Sequence, residues 1–382
     1  MPINYFTVPF FRASPRKGWL LFALVGMMGC FIGMSYVDPS NNPWALASCL
    51  FLLSCFGGCL YIAGLSYELE SIDENEYSIG SAFVVTGYRI GLLCAGAGAL
   101  YLSYVWDWSW MFRAAALLLG MGCIFILWQP EPYKSKETLY SKKKKFAAYP
   151  SFAYGFWHEI ILQPCKCFLQ RGDWKLILLI IVTFKLGDHL TKSMSGPFYL
   201  SLGFNKADLA LAAKMWGFAA TILGAMTAGY YFKGRDPLRS SAITGFIHAC
   251  TLGCYYVLSL IGKSFYGLYL TVAIENFTGG MAMTVFIYLL WKVCDKRYAP
   301  LQYAILWSFF SFKSDILACL GGLLAATLTW SSFFLLVFSI GLVSAAAVWH
   351  KLKEKRHFFS PQYRLNLETA IGRGCQTQDF GS

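Results

Sequence analysis

Charged residues are scarce in this chain. They make up 14% of its 382 residues, against about a quarter in soluble globular domains. By contrast, 57% of the residues are hydrophobic and the mean hydropathy is +0.50. This balance excludes an ordinary water-soluble domain. Short segments of alternating polar and apolar residues, the pattern of a porin-like barrel, are also lacking, so the membrane class that remains is helical.

Enzyme motifs are absent as well. The sequence contains no H-E-x-x-H, G-x-S-x-G or P-loop pattern. Its five histidines are scattered, and most of its 13 cysteines lie in apolar segments without a complete set of metal ligands. We therefore expect no enzymatic activity, no cofactor and no metal. His248, in "GFIHACTL", is interpreted as a residue of helix packing.

Long apolar runs are what the chain does have. A helix of about 20 residues crosses a hydrocarbon core of roughly 30 Å. Ten runs have this length, so the sequence predicts an all-α polytopic membrane protein with ten transmembrane helices. The runs are at 18–37, 44–66, 79–104, 109–128, 174–197, 208–231, 240–261, 266–291, 301–327 and 330–350.

The net charge of +12 reflects membrane topology. Of the 32 lysines and arginines, 23 fall in one set of loops and tails, and only Lys206 and Lys263 fall in the opposite set. The positive-inside rule then places both termini in the cytoplasm. The basic run "SKKKK" at 141–145 suits anionic lipid headgroups, and no nucleic-acid partner is expected.

The loops divide the chain into five predicted parts. A cytoplasmic segment at 1–17 precedes an N-terminal bundle of four helices at 18–129. A basic cytoplasmic loop at 130–173, with an amphipathic helix in its second half, leads to a six-helix bundle at 174–350. A cytoplasmic tail at 351–382 follows.

Charges interrupt the apolar run that holds "TFKLGDHLTK". Lys185 lies about ten residues from the cytoplasmic end of its helix, which is roughly 15 Å deep and near the midplane. Asp188 and Lys192 follow at three and seven residues and share its helix face, and His189 is adjacent. Ionisable residues at such depth mark a substrate or ion pathway by default.

Other helices carry polar residues at similar depth. Glu275 and Asn276 stand in "VAIENFTGGM", Arg89 in "TGYRIGLL" and Lys313 in "SFFSFKSDILA". Cations outnumber anions here, with Arg89, Lys185, Lys192, Lys214 and Lys313 against Asp188, Glu275 and Asp315. The surplus predicts a cavity for an anionic substrate. The alternative is that these charges form internal ion pairs that hold helices together.

At these residues the sequence resembles the AmpG-type muropeptide permeases. This is a branch of the major facilitator superfamily that also includes acetyl-CoA transporters. The similarity covers about residues 8–350. The matching stretches occur in the order of the family, and they are "VTGYRIGLLCAGAGALYL", "FKLGDHLTKSMSGPFYLSLGFNKADLA", "AATILGAMTAGYYF", "ENFTGGMAMTVFIYLL" and "YAPLQYAILWSF".

The resemblance implies a fold, a function and a set of roles. It implies a major facilitator-like fold with twelve helices, and proton-coupled import of anhydromuropeptides across the bacterial inner membrane for peptidoglycan recycling. The substrate is then an anionic sugar-peptide. The implied substrate-binding residues are Lys185, Lys192, Asn276, Arg89 and Lys313. The implied proton-coupling residues are Asp188, Glu275 and His189.

Two departures from the family pattern affect this expectation. The resemblance aligns the first run with the third family helix, so we expect the first two helices to be missing and the four-plus-six count to be incomplete. In addition, the charged pattern Q-D-I-A-x-D-A-Y-R-x-E of the fourth family helix reads "LYIAGLSYELE" here, which removes its aspartates. The alternatives are therefore a non-transporting relic, a split transporter that pairs with a separate two-helix fragment, or a transporter of another anion such as an acyl-CoA.

Overall fold

The computed structural model describes residues 15–38, 40–130, 162–205, 208–209, 212, 216–295 and 298–354. These residues form helices and no strands, so the predicted all-α polytopic fold is confirmed. The amphipathic helix predicted in 130–173 and the tail after residue 354 lie wholly or largely outside this part of the chain. So does Lys214.

The helices, in chain order, are long. The first group is α1 Pro15–Met34, α2 Pro43–Ser71, α3 Tyr77–Leu93, α4 Ala99–Val105 and α5 Trp108–Trp128. The second group is α6 Gln163–Leu169, α7 Trp174–Thr183, α8 Leu186–Ser201, α9 Phe218–Tyr231, α10 Pro237–Thr251 and α11 Gly253–Ile261. The last three are α12 Phe265–Val293, α13 Ala299–Thr327 and α14 Trp330–Glu354. A 3₁₀ turn at Glu74–Glu76 precedes α3, and a π-helical turn at Cys94–Gly98 joins α3 to α4.

Eight helical stretches in the described residues are long and apolar enough to cross a membrane. They match eight of the ten predicted spans. The predicted span at 208–231 is described only in part, and the span at 174–197 is broken into α7 and α8. Side-chain caps begin several helices: Asn42 accepts from the amide of Ala45, Asp236 from that of Arg239, and Ser264 from that of Gly267.

The described residues divide into two compact units. The first unit comprises those within 1–73, 90–163 and 296–301, and the second comprises those within 74–89, 164–295 and 302–382. In the first unit, α1 packs on α2 and α5 around Leu20 and Ala63. The guanidinium of Arg16 pairs with the carboxylate of Glu70 at 2.6 Å, next to this core.

In the second unit, α12 is the central helix, and it is more buried than any other candidate span in the described residues. It packs most closely against α9. A Cβ atom on Gly280 would collide with the carbonyl of Thr221, and one on Gly224 with the carbonyl of Phe277. Glycine at both positions therefore allows the two helix backbones to touch. Aromatic rings of Phe198, Trp330 and Phe334 fill the core nearby.

The break between α7 and α8 positions the charged residues. Phe184 is extended, with ψ 124°, and Lys185 has the left-handed conformation, with φ 58° and ψ 29°. That conformation costs a residue other than glycine about 1–3 kcal/mol and persists where surrounding contacts hold it. The ammonium of Lys313 supplies such a contact, because it donates to the carbonyl oxygens of Ile181 and Phe184 at 3.2 and 2.5 Å.

Candidate functional site

Asp188 is the centre of a buried charge cluster in the second unit. Its Oδ2 lies 3.2 Å from the Nζ of Lys185 and 3.0 Å from the Nζ of Lys192. Its Oδ1 lies 3.3 Å from the Nε2 of His248. The side chain of Asp188 is only 2% exposed, so these neighbours replace water around the carboxylate. The helix break brings the first ammonium into place, since Lys185 directly precedes α8 and Asp188 lies in its first turn.

Glu275, on α12, lies beside the same cluster. Its Oε1 is 3.7 Å from the Nζ of Lys192, and its Oε2 accepts from the amide nitrogen of Asn276 at 2.9 Å. Asn276 in turn accepts from the hydroxyl of Thr221 on α9 at 3.3 Å. Lys192 thus stands next to two carboxylates, and with 43% of its side chain exposed it is the most accessible charge of the cluster.

His248, on α10, belongs to the cluster, although the sequence predicted it as a residue of helix packing. Its side chain is 2% exposed, and its Nδ1 lies 3.0 Å from the hydroxyl of Thr278. No motif or spacing links position 248 to position 188, because the contact depends on how α10 packs beside α8. The one signal in the sequence was a histidine deep inside an apolar helix.

The side chains of three predicted site residues form no ion pair or hydrogen bond with Asp188 among the described residues. The Nδ1 of His189 bonds the hydroxyl of Ser314 at 2.8 Å, and Lys313 binds the carbonyls at the end of α7. Arg89, on α3, is half-buried and forms no ion pair with any residue that the structure describes. The structure therefore brings together Lys185, Asp188, Lys192, Glu275 and Asn276 from the predicted set, and adds His248.

A small, open-sided pocket reaches this cluster. Its walls come from the break at Phe184 and Lys185, from α10 and from α14. Asp188 and His248 lie in the lining, along with small residues such as Gly245 and Gly341. Water or a small ligand in this pocket has access to the imidazole and the carboxylate.

The cluster itself is formally neutral when His248 is neutral, since two ammonium groups face two carboxylates. Asp188, His248 and Glu275 each offer a ligand atom within 4.8 Å of the others. Such a set suits a metal ion in composition, but the two lysine ammonium groups already lie 3.0–3.7 Å from its carboxylate oxygens. A second cation at this place would be strongly repelled in a low-dielectric interior.

Known proteins resemble this chain over most of its length. Residues 10–314 match the model of the family described as Major Facilitator Superfamily. A protein of Rickettsia conorii named "Putative transporter AmpG 4" is 30% identical over 343 residues, which cover 89% of this chain and 80% of that protein. The "Anhydromuropeptide permease" of Escherichia coli K12 is 28% identical over 335 residues, covering 87% of this chain and 65% of the permease.

A solved structure shares the fold. It is that of the major facilitator superfamily proton:xylose symporter XylE bound to 6-bromo-6-deoxy-D-glucose. Its TM-score is 0.65 at 12% sequence identity, over 88% of this chain and 80% of the symporter. The relatives are transporters, and the comparisons favour none of the alternative functions raised by the sequence. This chain is therefore a membrane transporter that belongs to the Major Facilitator Superfamily and, within it, to the AmpG-type transporters.

Proposed function

We propose that this chain imports anhydromuropeptides together with protons across the bacterial inner membrane. In this proposal both termini are cytoplasmic, and the bundles predicted at 18–129 and 174–350 alternate in access to the two sides. The name of the Escherichia coli relative supports the substrate class. The observation that supports the coupling most directly is the partly exposed side chain of Lys192, whose ammonium lies beside two buried carboxylates.

The substrate's peptide carboxylates require a cation, and Lys192 is the accessible one. Asp188 holds two ammonium groups at 3.0 and 3.2 Å, so removing its charge leaves two buried cations without a close carboxylate. Glu275 has one ammonium at 3.7 Å. Protonation of Glu275 therefore costs less than protonation of Asp188.

A proton on Glu275 gives the cluster a net charge of +1 and weakens the hold on Lys192. The lysine is then available for a substrate carboxylate. When Glu275 releases its proton, its carboxylate again attracts Lys192, and the substrate carboxylate has lost its partner. Proton and substrate thus favour each other's binding, which is the requirement for symport.

Uptake into membrane vesicles tests the proposal. Vesicles that contain the protein should accumulate radiolabelled anhydromuropeptide when an inward proton gradient is imposed. We expect Lys192→Met to raise the half-saturating substrate concentration roughly 10- to 100-fold, because a hydrogen bond to a charged group contributes about 1.5–3 kcal/mol. The matched control is Lys353→Met, which removes an exposed lysine at the end of α14.

Two results would contradict the proposal. One is the absence of gradient-driven uptake by a correctly inserted wild-type protein. The other is an equal half-saturating concentration in the Lys192→Met and Lys353→Met variants. The second result would leave transport standing but remove Lys192 from the substrate site.

A further inference from the structure

Three acceptor atoms converge beside Asp188. They are a carboxylate oxygen of Asp188, a ring nitrogen of His248 and a carboxylate oxygen of Glu275, and all lie within 4.8 Å of one another. The Oδ1 of Asp188, the Nε2 of His248 and the Oε1 of Glu275 are buried, and none has a hydrogen bond of good geometry to a residue that the structure describes. Their side chains come from three different helices, α8, α10 and α12, and each is 2–4% exposed.

The Nδ1 of His248 lies 3.0 Å from the hydroxyl of Thr278. That hydroxyl also donates to the carbonyl of Ile274 at 2.9 Å, and a hydroxyl has one hydrogen to donate. In the neutral ring whose hydrogen is on Nδ1, the Thr278 oxygen accepts that hydrogen and Nε2 presents a lone pair.

The Nε2 lies 3.3 Å from the Oδ1 of Asp188, and a carboxylate oxygen of Glu275 belongs to the same group of atoms. With His248 in this tautomer and both acids ionised, the three converging groups present only acceptors and no hydrogen. Buried acceptors left in this way cost about 1–3 kcal/mol each, and more when charged. One proton removes the conflict, because as N–H on His248 or O–H on Glu275 it is donated to a neighbouring acceptor.

We propose that His248 is a proton-binding residue of the transporter, and that its Nε2 shares one proton with Asp188 and Glu275. The inference rests on the proposed proton-coupled function and names a residue that the family resemblance did not supply. The charged groups around the imidazole are Lys185, which directly precedes α8, Asp188 and Lys192 from α8, and Glu275 from α12. The pocket residues from α7 and α14 add hydroxyl and apolar groups and no ionisable ones.

The pocket gives this proton a route. His248, Asp188 and Lys185 line it, whereas Glu275 and Lys192 do not. A proton that enters from water in the pocket therefore meets the imidazole or Asp188 first and reaches Glu275 through them. In this arrangement His248 receives the proton, and Glu275 couples it to Lys192.

The proposal is tested first without any substrate. Infrared difference spectra of the purified protein in liposomes, recorded across a pH series, report the carbonyl band of a protonated carboxyl and the ring modes of imidazole. The wild type should show one cooperative protonation step that contains both signals. His248→Gln should lose the imidazole part of that step and shift the midpoint of its carboxyl signal by at least one pH unit.

Controls separate this role from folding. His350→Asn removes an exposed histidine and is the matched control. It should keep the coupled carboxyl and imidazole step of the wild type. If His248→Gln fails to insert or unfolds at a lower temperature than the wild type, Thr278→Val is the second probe. It removes the hydroxyl that contacts the Nδ1 of His248. It should broaden or shift the same protonation step.

A transport arm distinguishes the two proposals. His248→Gln should retain exchange of labelled for unlabelled anhydromuropeptide. Its accumulation of anhydromuropeptide driven by a proton gradient should be at least tenfold lower than that of the wild type. A carboxyl titration unchanged in both His248→Gln and Thr278→Val would overturn the assignment of His248. If the wild type shows the coupled protonation step but moves no anhydromuropeptide, the substrate proposal fails while the proton site stands.

Discussion

The ammonium of Lys313 caps the carbonyl of Phe184, where α7 ends in the middle of the predicted span at 174–197. The last carbonyls of a helix have no partner within the helix, and a cation there also offsets the negative end of the helix dipole. Lys313 bonds the carbonyl of Ile181 as well and lies 4.5 Å from the ring centre of Phe310. These contacts give Lys313 a role in stabilising the helix break.

We expect Lys313→Met to destabilise the protein by about 1–3 kcal/mol, because buried carbonyl groups lose their donor. Thermal unfolding of the purified protein in detergent measures this as a lower midpoint, with Lys353→Met as the control. A higher half-saturating concentration of substrate with an unchanged unfolding midpoint would instead show that Lys313 binds substrate.

Asp188→Asn should be among the most damaging single changes in the second unit. It leaves the buried ammonium of Lys185, which is 6% exposed, without its carboxylate. Breaking a buried pair on one side costs about 3–5 kcal/mol. The yield of correctly inserted, monodisperse protein and its unfolding midpoint are the measurements.

The double variant Lys185→Met/Asp188→Asn controls for this explanation. It removes both charges, so it should recover part of the stability lost in Asp188→Asn alone. Lys185→Met alone should be milder, since Asp188 keeps Lys192 and His248 as neighbours. An Asp188→Asn protein as stable as the wild type would show that water reaches Asp188 and screens its charge.

Spacing along one helix predicted the centre of the site, because residues three and four apart necessarily share a face. Lys185, Asp188 and Lys192 are neighbours for that reason. The helix break was missed: an apolar run contains no signal for a turn at Lys185, which is neither glycine nor followed by proline. His248 was missed because its partner lies on another helix, and packing between helices is not a periodic feature of the sequence.

Glycine-rich stretches also show that the sequence does not reveal which residues pack between helices. "GLLCAGAGAL" indicates close helix packing, yet a Cβ atom on Gly91 or Gly96 would meet open space among the described residues. The segment forms a π-helical turn at Cys94–Gly98 instead. Gly280 lies in the other glycine stretch, "FTGGMAM", and does contact a neighbouring backbone. Composition identifies candidate packing glycines, and only the fold selects among them.

Gly280→Ala and Gly224→Ala should therefore separate α9 from α12. The added methyl groups would overlap the carbonyls of Thr221 and Phe277, and overpacking of this kind costs typically about 1–3 kcal/mol. The matched control is Gly58→Ala on α2, where no described atom lies within 4 Å of the added methyl. Unfolding midpoints measure the effect, and equal midpoints for Gly280→Ala and Gly58→Ala would contradict the close contact.

Residues of α2 that match the family pattern make structural bonds. Glu70 accepts from Arg16 at 2.6 Å, and the hydroxyl of Tyr67 donates to the carbonyl of Pro130 at 2.6 Å. We expect Arg16→Met to lower the stability of the first unit by about 1.5–3 kcal/mol, the range for hydrogen bonds to a charged group. The double variant Arg16→Met/Glu70→Met should cost less than the sum of the single changes, and strict additivity would show that the ion pair does not contribute.

Cysteine reactivity at the ends of the spans gives a further prediction. Cys294 follows α12 and is buried, and this burial raises the pKa of its thiol to about 12, with Asp295 adding to the rise and Arg171 opposing it. The thiolate is the reactive form, so at pH 8 only about one Cys294 side chain in ten thousand is reactive. Cys165 is half-buried and serves as the internal reference.

We expect a water-soluble maleimide at pH 8 to modify Cys165 well before Cys294, as peptide mass spectrometry of the labelled protein would measure. Because the folded-state pKa is raised, the thiolate fraction of Cys294 grows about tenfold for each pH unit up to about 12. Its modification should therefore accelerate between pH 8 and pH 9 while remaining slower than that of Cys165. Unfolding in detergent should abolish the difference, since both thiols then meet water. Equal rates in the folded protein would show that the end of α12 is open to solvent.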